Sequence, residues 1–270
     1  MLKKIFIVVL AFVTTIVLVS CNSSTSITNQ VGASGINGIK NVKTLTEYSI
    51  DTTIDQMEIV TFGTYPQSDI SGNKKDAIEW IVLDRQDNKA LLYSKYILDC
   101  KCYNNLLKDV TWETCDIRKW LNDSFYNNAF DSSEKSQTVN TNVDSATNDK
   151  VFLLSEEEVR KYFGNGIKSE HGYQLGKNIS TKGTDYAKNV ENLDSELSSY
   201  DNKLWVYNHS VESAGEHVKW ADGNSVYWLR STGTPKNCTS RVNSSSYLYT
   251  DDFVVNSPLL GVRPAIWVTY

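Results

Sequence analysis

The chain has 270 residues, with 27 lysines and arginines against 32 aspartates and glutamates, for a formal charge of −5. That balance excludes nucleic acid as an expected partner, because holding a phosphate backbone takes clustered Lys and Arg. With 40% hydrophobic and 22% charged residues, the chain is not a disordered or fibrous polymer, and its length suits one large domain plus accessory segments.

The chain opens Met1-Leu2-Lys3-Lys4 and then runs apolar from Ile5 to Val19. This run is shorter than the roughly 20 residues a membrane span needs, and its basic flank fits a secretory signal. The end of the run, Leu18-Val19-Ser20-Cys21, resembles the lipobox of bacterial lipoproteins. The resemblance implies cleavage after residue 20 and a diacylglyceryl group on the Cys21 thiol, which places the protein on the extracellular face of the cytoplasmic membrane. Loss of Lys3 and Lys4 with the signal makes the mature chain more acidic still. Residues 21–50 are rich in Ser, Thr, Asn and Gly. Such a segment buries too little to offset its ordering entropy and reads as a flexible tether. The domain proper is expected over 51–270.

Within it, Met57–Thr64 reads as a first strand, stopped before Pro66. Ile78–Arg85 and Lys89–Tyr96 are dense apolar runs around Gln86-Asp87-Asn88, which predicts a central hairpin. Over Thr111–Leu121 the period changes. Ile117, Trp120 and Leu121 share a helical face, with Thr111 or Thr114 as the expected cap. Phe125, Tyr126, Ala129 and Phe130 continue as a second short helix. Val151–Leu154 is a short strand, and Ser155-Glu156-Glu157-Glu158 is a capping box for a helix carrying Val159, Tyr162 and Phe163 and ending at Gly164. An acidic metal site is the other reading of this triplet; a helix start explains it better. Residues 165–202 are polar and expected to be loop, with one helical turn at Thr184–Val190. Strands follow at Leu204–Tyr207, Tyr227–Leu229, Ser240–Val242, Tyr247–Tyr249, Phe253–Val255 and Ala265–Val268.

Four cysteines remain besides Cys21: Cys100, Cys102, Cys115 and Cys238. Disulfides, free thiols and a metal site are all open readings. The last is weakened by the C-x-C spacing of Cys100 and Cys102, where zinc sites use C-x2-C. His171, His209 and His217 stand in no H-E-x-x-H, and the chain has no G-x-S-x-G and no phosphate-cradling Gly loop. No catalytic set, metal or cofactor is expected. Asp251-Asp252 and Asp222-Gly223-Asn224 offer oxygen ligands of the kind calcium takes, but read as Asx-rich turns.

Trp228-Leu229-Arg230-Ser231-Thr232-Gly233, followed by Gly261-Val262-Arg263-Pro264-Ala265, resembles an uncharacterised family of extracellular domains, mostly from Firmicutes. Those domains end in W-W-L-R-S-P-G and G-V-R-P-A blocks. Phe62–Gln67, Glu79–Leu83, Tyr93–Asp99, Trp112-Glu113, Arg118–Leu121 and Val151–Ser155 extend the likeness over roughly 55–270. Tyr227 and Thr232 depart from the pattern, as does the Ser244–Ser246 run. The resemblance implies an α+β, C-type lectin-like fold: a twisted antiparallel sheet with two or three flanking helices. In that fold the G-x-R segment is internal and the loops before it form the ligand face. The calcium-lectin signatures Glu-Pro-Asn and Trp-Asn-Asp are missing. Of the paired cysteines that formylglycine-generating enzymes carry late in the domain, only Cys238 has a counterpart.

Arg230 and Arg263 sit in apolar blocks, so both are expected to be buried and bonded to carbonyls or carboxylates. Trp80, Trp120, Trp228 and Trp267 are expected to be structural. Asn237, Asn243, Ser245, Tyr247, Tyr249 and Asp251 form the expected ligand surface, since Tyr among Ser and Asn makes adaptable recognition faces. The expected function is a membrane-anchored, non-catalytic recognition lipoprotein for a glycan or protein. An enzyme of the formylglycine-generating type, an unrecognised hydrolase and a structural envelope component are the alternatives.

Overall fold

The computed structural model describes residues 40–43, 57–144, 147–170, 172–176, 179–188, 225–257 and 260–270. His171, His209, His217, Cys21, the Leu204–Tyr207 strand and the Asp222–Asn224 turn lie outside the described residues. So do the side chains of Asp251 and Asp252.

The chain is mixed α+β, with two sheets dominating. The first orders its strands β1-β2-β3-β4-β13-β6. These are Lys40–Lys43, Ile59–Tyr65, Asp76–Gln86, Lys89–Ser94, Ala265–Thr269 and Val151–Phe152, and every pairing is antiparallel. The β3–β4 hairpin sits centrally, as its apolar density predicts, and turns on Asp87 at φ 51. β4 is buried on both faces beyond Lys89. The region read as tether, 21–50, supplies β1. Lys40–Lys43 pairs with β2 through backbone groups, and an edge strand needs no apolar side chains to do so.

The second sheet orders β5-β12-β9-β10-β11-β8-β7, which are Asp99–Cys100, Gly261–Val262, Tyr227–Thr232, Cys238–Val242, Tyr247–Val254, Gly172–Gln174 and Ile167–Ser169. β12 and β9 pair in parallel, the one parallel pairing between strands of either sheet among the described residues, with an isolated parallel bridge at Ile97 and Gly183 besides. Where the sequence suggests separate strands at Tyr247–Tyr249 and Phe253–Val255, one strand runs through, with Asp251 and Asp252 at a register shift against β10 between Tyr249 (opposite Arg241) and Phe253 (opposite Thr239). Polar residues break a strand only where the backbone leaves it.

Two crossovers join the sheets. Residues 95–98 link β4 to β5, and Arg263-Pro264 links β12 to β13. They are laced together by Ser94 N to Pro264 O at 2.9 Å and Leu98 N to Val262 O at 3.0 Å.

Helix α1 (Asp116–Trp120) passes directly into a wide π turn (Leu121–Phe125) and α2 (Tyr126–Ala129). No Gly or Pro interrupts them, and the wide turn shifts the buried stripe from Ile117, Leu121 and Phe125 to Tyr126 and Ala129. The expected caps do not form. Thr114 Oγ1 accepts the Thr111 amide in a turn, and Cys115 occupies the N-cap without a side-chain bond to the helix. Helix α3 (Ser132–Gln137) is capped by Asp131 with Glu134, and α4 (Glu156–Phe163) by the expected Ser155–Glu158 box. The stretch 165–188 holds β7, β8 and one helical turn, α5 (Asp185–Lys188).

Candidate recognition face

In an antiparallel ladder, paired residues share a face and neighbours along a strand alternate. Val242 pairs with Tyr227 and Leu248, and all three are fully buried. This is the core face of the second sheet. Arg241 pairs with Trp228 and Tyr249, so these three share the opposite face.

That face grades from closed to open. Trp228 is fully buried, edge-on to Tyr103 at 5.9 Å and to Phe253 at 5.8 Å. Its indole Nε1 donates to the Lys101 carbonyl at 2.8 Å. Arg241 comes next, with its guanidinium 4.4 Å from the Tyr249 ring centre and 4.8 Å from that of Phe253. Stacking of this kind holds a guanidinium without a fixed direction of hydrogen bonding. Tyr247 and Tyr249 follow, half-buried, with ring centres 6.4 Å apart.

The expected ligand residues divide into two roles. Asn243 is spent on the turn: its Oδ1 accepts the amides of Ser245 at 3.0 Å and Tyr247 at 2.9 Å. That bond pattern fixes where β11 begins and which way Tyr247 points. Ser245 is exposed at the tip, and Ser246 adopts φ 68 beside it. Asn237 anchors the far end, where its carbonyl accepts the Val255 amide at 3.0 Å. Tyr247 and Tyr249 therefore supply the ring surface, and the asparagines set its frame. Arg241 and Phe253 belong to the same face and escaped the sequence reading. The signal for them was the period of two that puts Arg241 opposite Tyr249.

The framework residues are placed as follows. Arg230, 6% exposed, donates to the Leu153 carbonyl at 2.9 Å, the Val143 carbonyl at 3.2 Å, and both oxygens of Glu158. Glu158 is also the carboxylate of the α4 capping box. Arg263 is fully buried, in the break between β12 and β13. Trp80 Nε1 donates to the Phe62 carbonyl at 2.7 Å. Trp120 and Trp267 are partly buried against the core, and Lys101 Nζ sits 4.7 Å over the Trp120 ring.

Among the described residues no disulfide joins Cys100, Cys102, Cys115 or Cys238. Burial pushes the Cys100 and Cys115 thiols up to about 12, so neither supplies a thiolate nucleophile near neutral pH. Among the described residues no group of His, Cys, Asp and Glu has the arrangement to hold a metal ion, and no helix is long and apolar enough to cross a membrane.

A family model described as a domain of unknown function, DUF6273, matches residues 87–270. The match starts in the β3–β4 turn and takes in both arginine blocks and the whole candidate face. No curated protein and no solved structure matches the chain. With two thirds of its length under that model, the chain belongs to the DUF6273 family of domains of unknown function.

Proposed function

We propose that this is a non-catalytic recognition domain of C-type lectin-like architecture, carried on a lipoprotein anchored through Cys21 to the extracellular face of the membrane. The observation that carries the reading is the pair of half-buried Tyr247 and Tyr249 rings, braced by Arg241 on the sheet face opposite Val242 and Leu248. Rigid rings offer apolar area at little cost in conformational entropy, with a polar phenol tip at the edge of each ring. A sugar ring has matching chemistry, with an apolar C–H face and hydroxyls at its rim, so a glycan is the favoured ligand class. Three further features support the lectin-like reading. The Gly261–Val262 strand is internal, between β5 and β9. The helices accompany sheets that are antiparallel but for the β12–β9 pairing, and the first sheet pairs an early strand, β4, with the last, β13. The lipobox pattern at Leu18–Cys21 supports the anchor. The test is a glycan array probed with the purified chain and with a Tyr247→Ala/Tyr249→Ala variant whose circular dichroism matches the parent. Binding confined to the parent supports the reading, and equal signals from both would remove these rings from recognition.

A further inference from the structure

Arg263 sits where the chain passes from one sheet to the other, and it has no access to solvent. Its Nε donates to the Ser94 carbonyl of β4 at 2.9 Å. Its Nη1 donates to the Ile179 carbonyl at 2.8 Å and to the Tyr227 hydroxyl of β9 at 3.2 Å. All three acceptors are neutral, and among the described residues no carboxylate pairs with Arg263. Its Nη2 is buried and donates to no protein atom. A guanidinium removed from water without a counter-charge is costly, which is why buried charges are found paired.

A second unmet group lies beside it. The Tyr93 ring is stacked 4.0 Å from the guanidinium carbon. The Tyr93 hydroxyl is buried and makes no well-formed hydrogen bond, although the Tyr227 hydroxyl and the guanidinium itself are close enough to interact with it. Two of the four buried unpartnered side-chain atoms among the described residues therefore belong to one stacked pair. Burial holds the Tyr93 phenol well above its ordinary pKa, so it keeps its proton as a donor. The unmet groups are an N–H pair bearing positive charge and an O–H. What satisfies both is an acceptor with negative charge, and it must be small, because neither donor reaches the surface.

We propose that Arg263 Nη2 and Tyr93 Oη form a buried site for a monatomic anion, chloride in ordinary media, which neutralises the guanidinium at the junction of the two sheets. The anion completes a hub in which one arginine ties β4, β9 and the Ile179 segment together. It acts on the stability of the whole domain and is independent of the recognition face.

The test is urea unfolding of the full chain at fixed ionic strength, with sodium chloride exchanged stepwise for sodium gluconate. Once the site is near saturation, each tenfold rise in chloride is expected to raise the folding equilibrium constant up to tenfold. The Tyr93→Phe variant, which removes one donor and keeps the stacked ring, is expected to lose most of that dependence. Chloride and gluconate curves that coincide for the parent would overturn the proposal and leave a water molecule as the partner. Undiminished dependence in Tyr93→Phe would place the anion elsewhere. Should that variant not fold, crystals of the parent grown in bromide decide: an anomalous peak within hydrogen-bonding distance of Nη2 supports the site, and its absence refutes it.

Discussion

The guanidinium of Arg263 sits over the Tyr93 ring, 4.0 Å from its centre, with the Tyr227 ring centre 5.2 Å away on the second sheet. The contact joins the last crossover of the chain to the central strand of the first sheet. A block that the sequence marks only as Gly-Val-Arg-Pro-Ala is thus the point where both sheets are fastened. Exchange of Arg263 for Lys keeps the charge and loses the planar fork that reaches Ser94, Ile179 and Tyr227 together. The Arg263→Lys variant is expected to unfold at clearly lower urea, by about 3 kcal/mol, in an equilibrium titration.

Asp149 is a second buried charge, and it is fully engaged. Its side chain, 1% exposed, accepts Trp112 Nε1 at 2.8 Å and Arg118 Nε at 2.7 Å. Its backbone exchanges both hydrogen bonds with Thr141. Asp149→Ala strands the indole N–H and the guanidinium in place. The expected loss is about 3–5 kcal/mol, measured by urea denaturation. A loss below 1 kcal/mol would mean the site relaxes to admit water.

Gly63 interrupts β2 with φ +70, at a register shift against β3. A Cβ there would stand 2.6 Å from the Phe130 ring and 2.8 Å from the Ala129 carbonyl. Gly63→Ala therefore meets both an unfavourable backbone region and a backbone atom that does not yield. About 3 kcal/mol of destabilisation is expected, read as a fall in the thermal midpoint.

Burial raises the Cys115 thiol from 9.0 to about 12 and puts the Tyr93 and Tyr103 phenols well above 10.0. In the unfolded chain these groups ionise near their ordinary values, while in the folded chain they hold their protons. Their contribution is complete below pH 9 and falls away as pH climbs from 9 toward 12. Each group adds a slope of about 1.4 kcal/mol per pH unit within its own window. Urea midpoints at pH 7, 9 and 10.5 should be level between the first two and drop at the third. The Cys115→Ala variant should fall less steeply.

Much of this architecture is legible in the residues. The β3–β4 hairpin follows from two apolar runs around Asp87-Asn88, and the α4 cap from Ser155 and Glu158 three apart, because both signals are local. What escapes is non-local. Nothing near Lys40–Lys43 announces that its backbone extends an edge of β2. The helix at 116–129 is legible as two apolar patches, but the wide turn that fuses them depends on what Phe125 packs against. On the candidate recognition face, Tyr247 and Tyr249 are visible from composition. Arg241 is not, since its role depends on pairing across β10 and β11. Asn243 reads as a ligand residue by type, and its side chain is taken up by the hairpin turn.

On the proposed reading, the Tyr247 and Tyr249 rings carry recognition on a frame that folds without them. The direct measurement is the affinity of the parent and of Tyr247→Ala/Tyr249→Ala for a cell-wall glycan, alongside each protein's urea midpoint. Truncating two central aromatic anchors is expected to weaken binding by about 30-fold or more, while stability shifts by about 1 kcal/mol. Unchanged affinity, or loss of the folded state in the variant, would contradict the account.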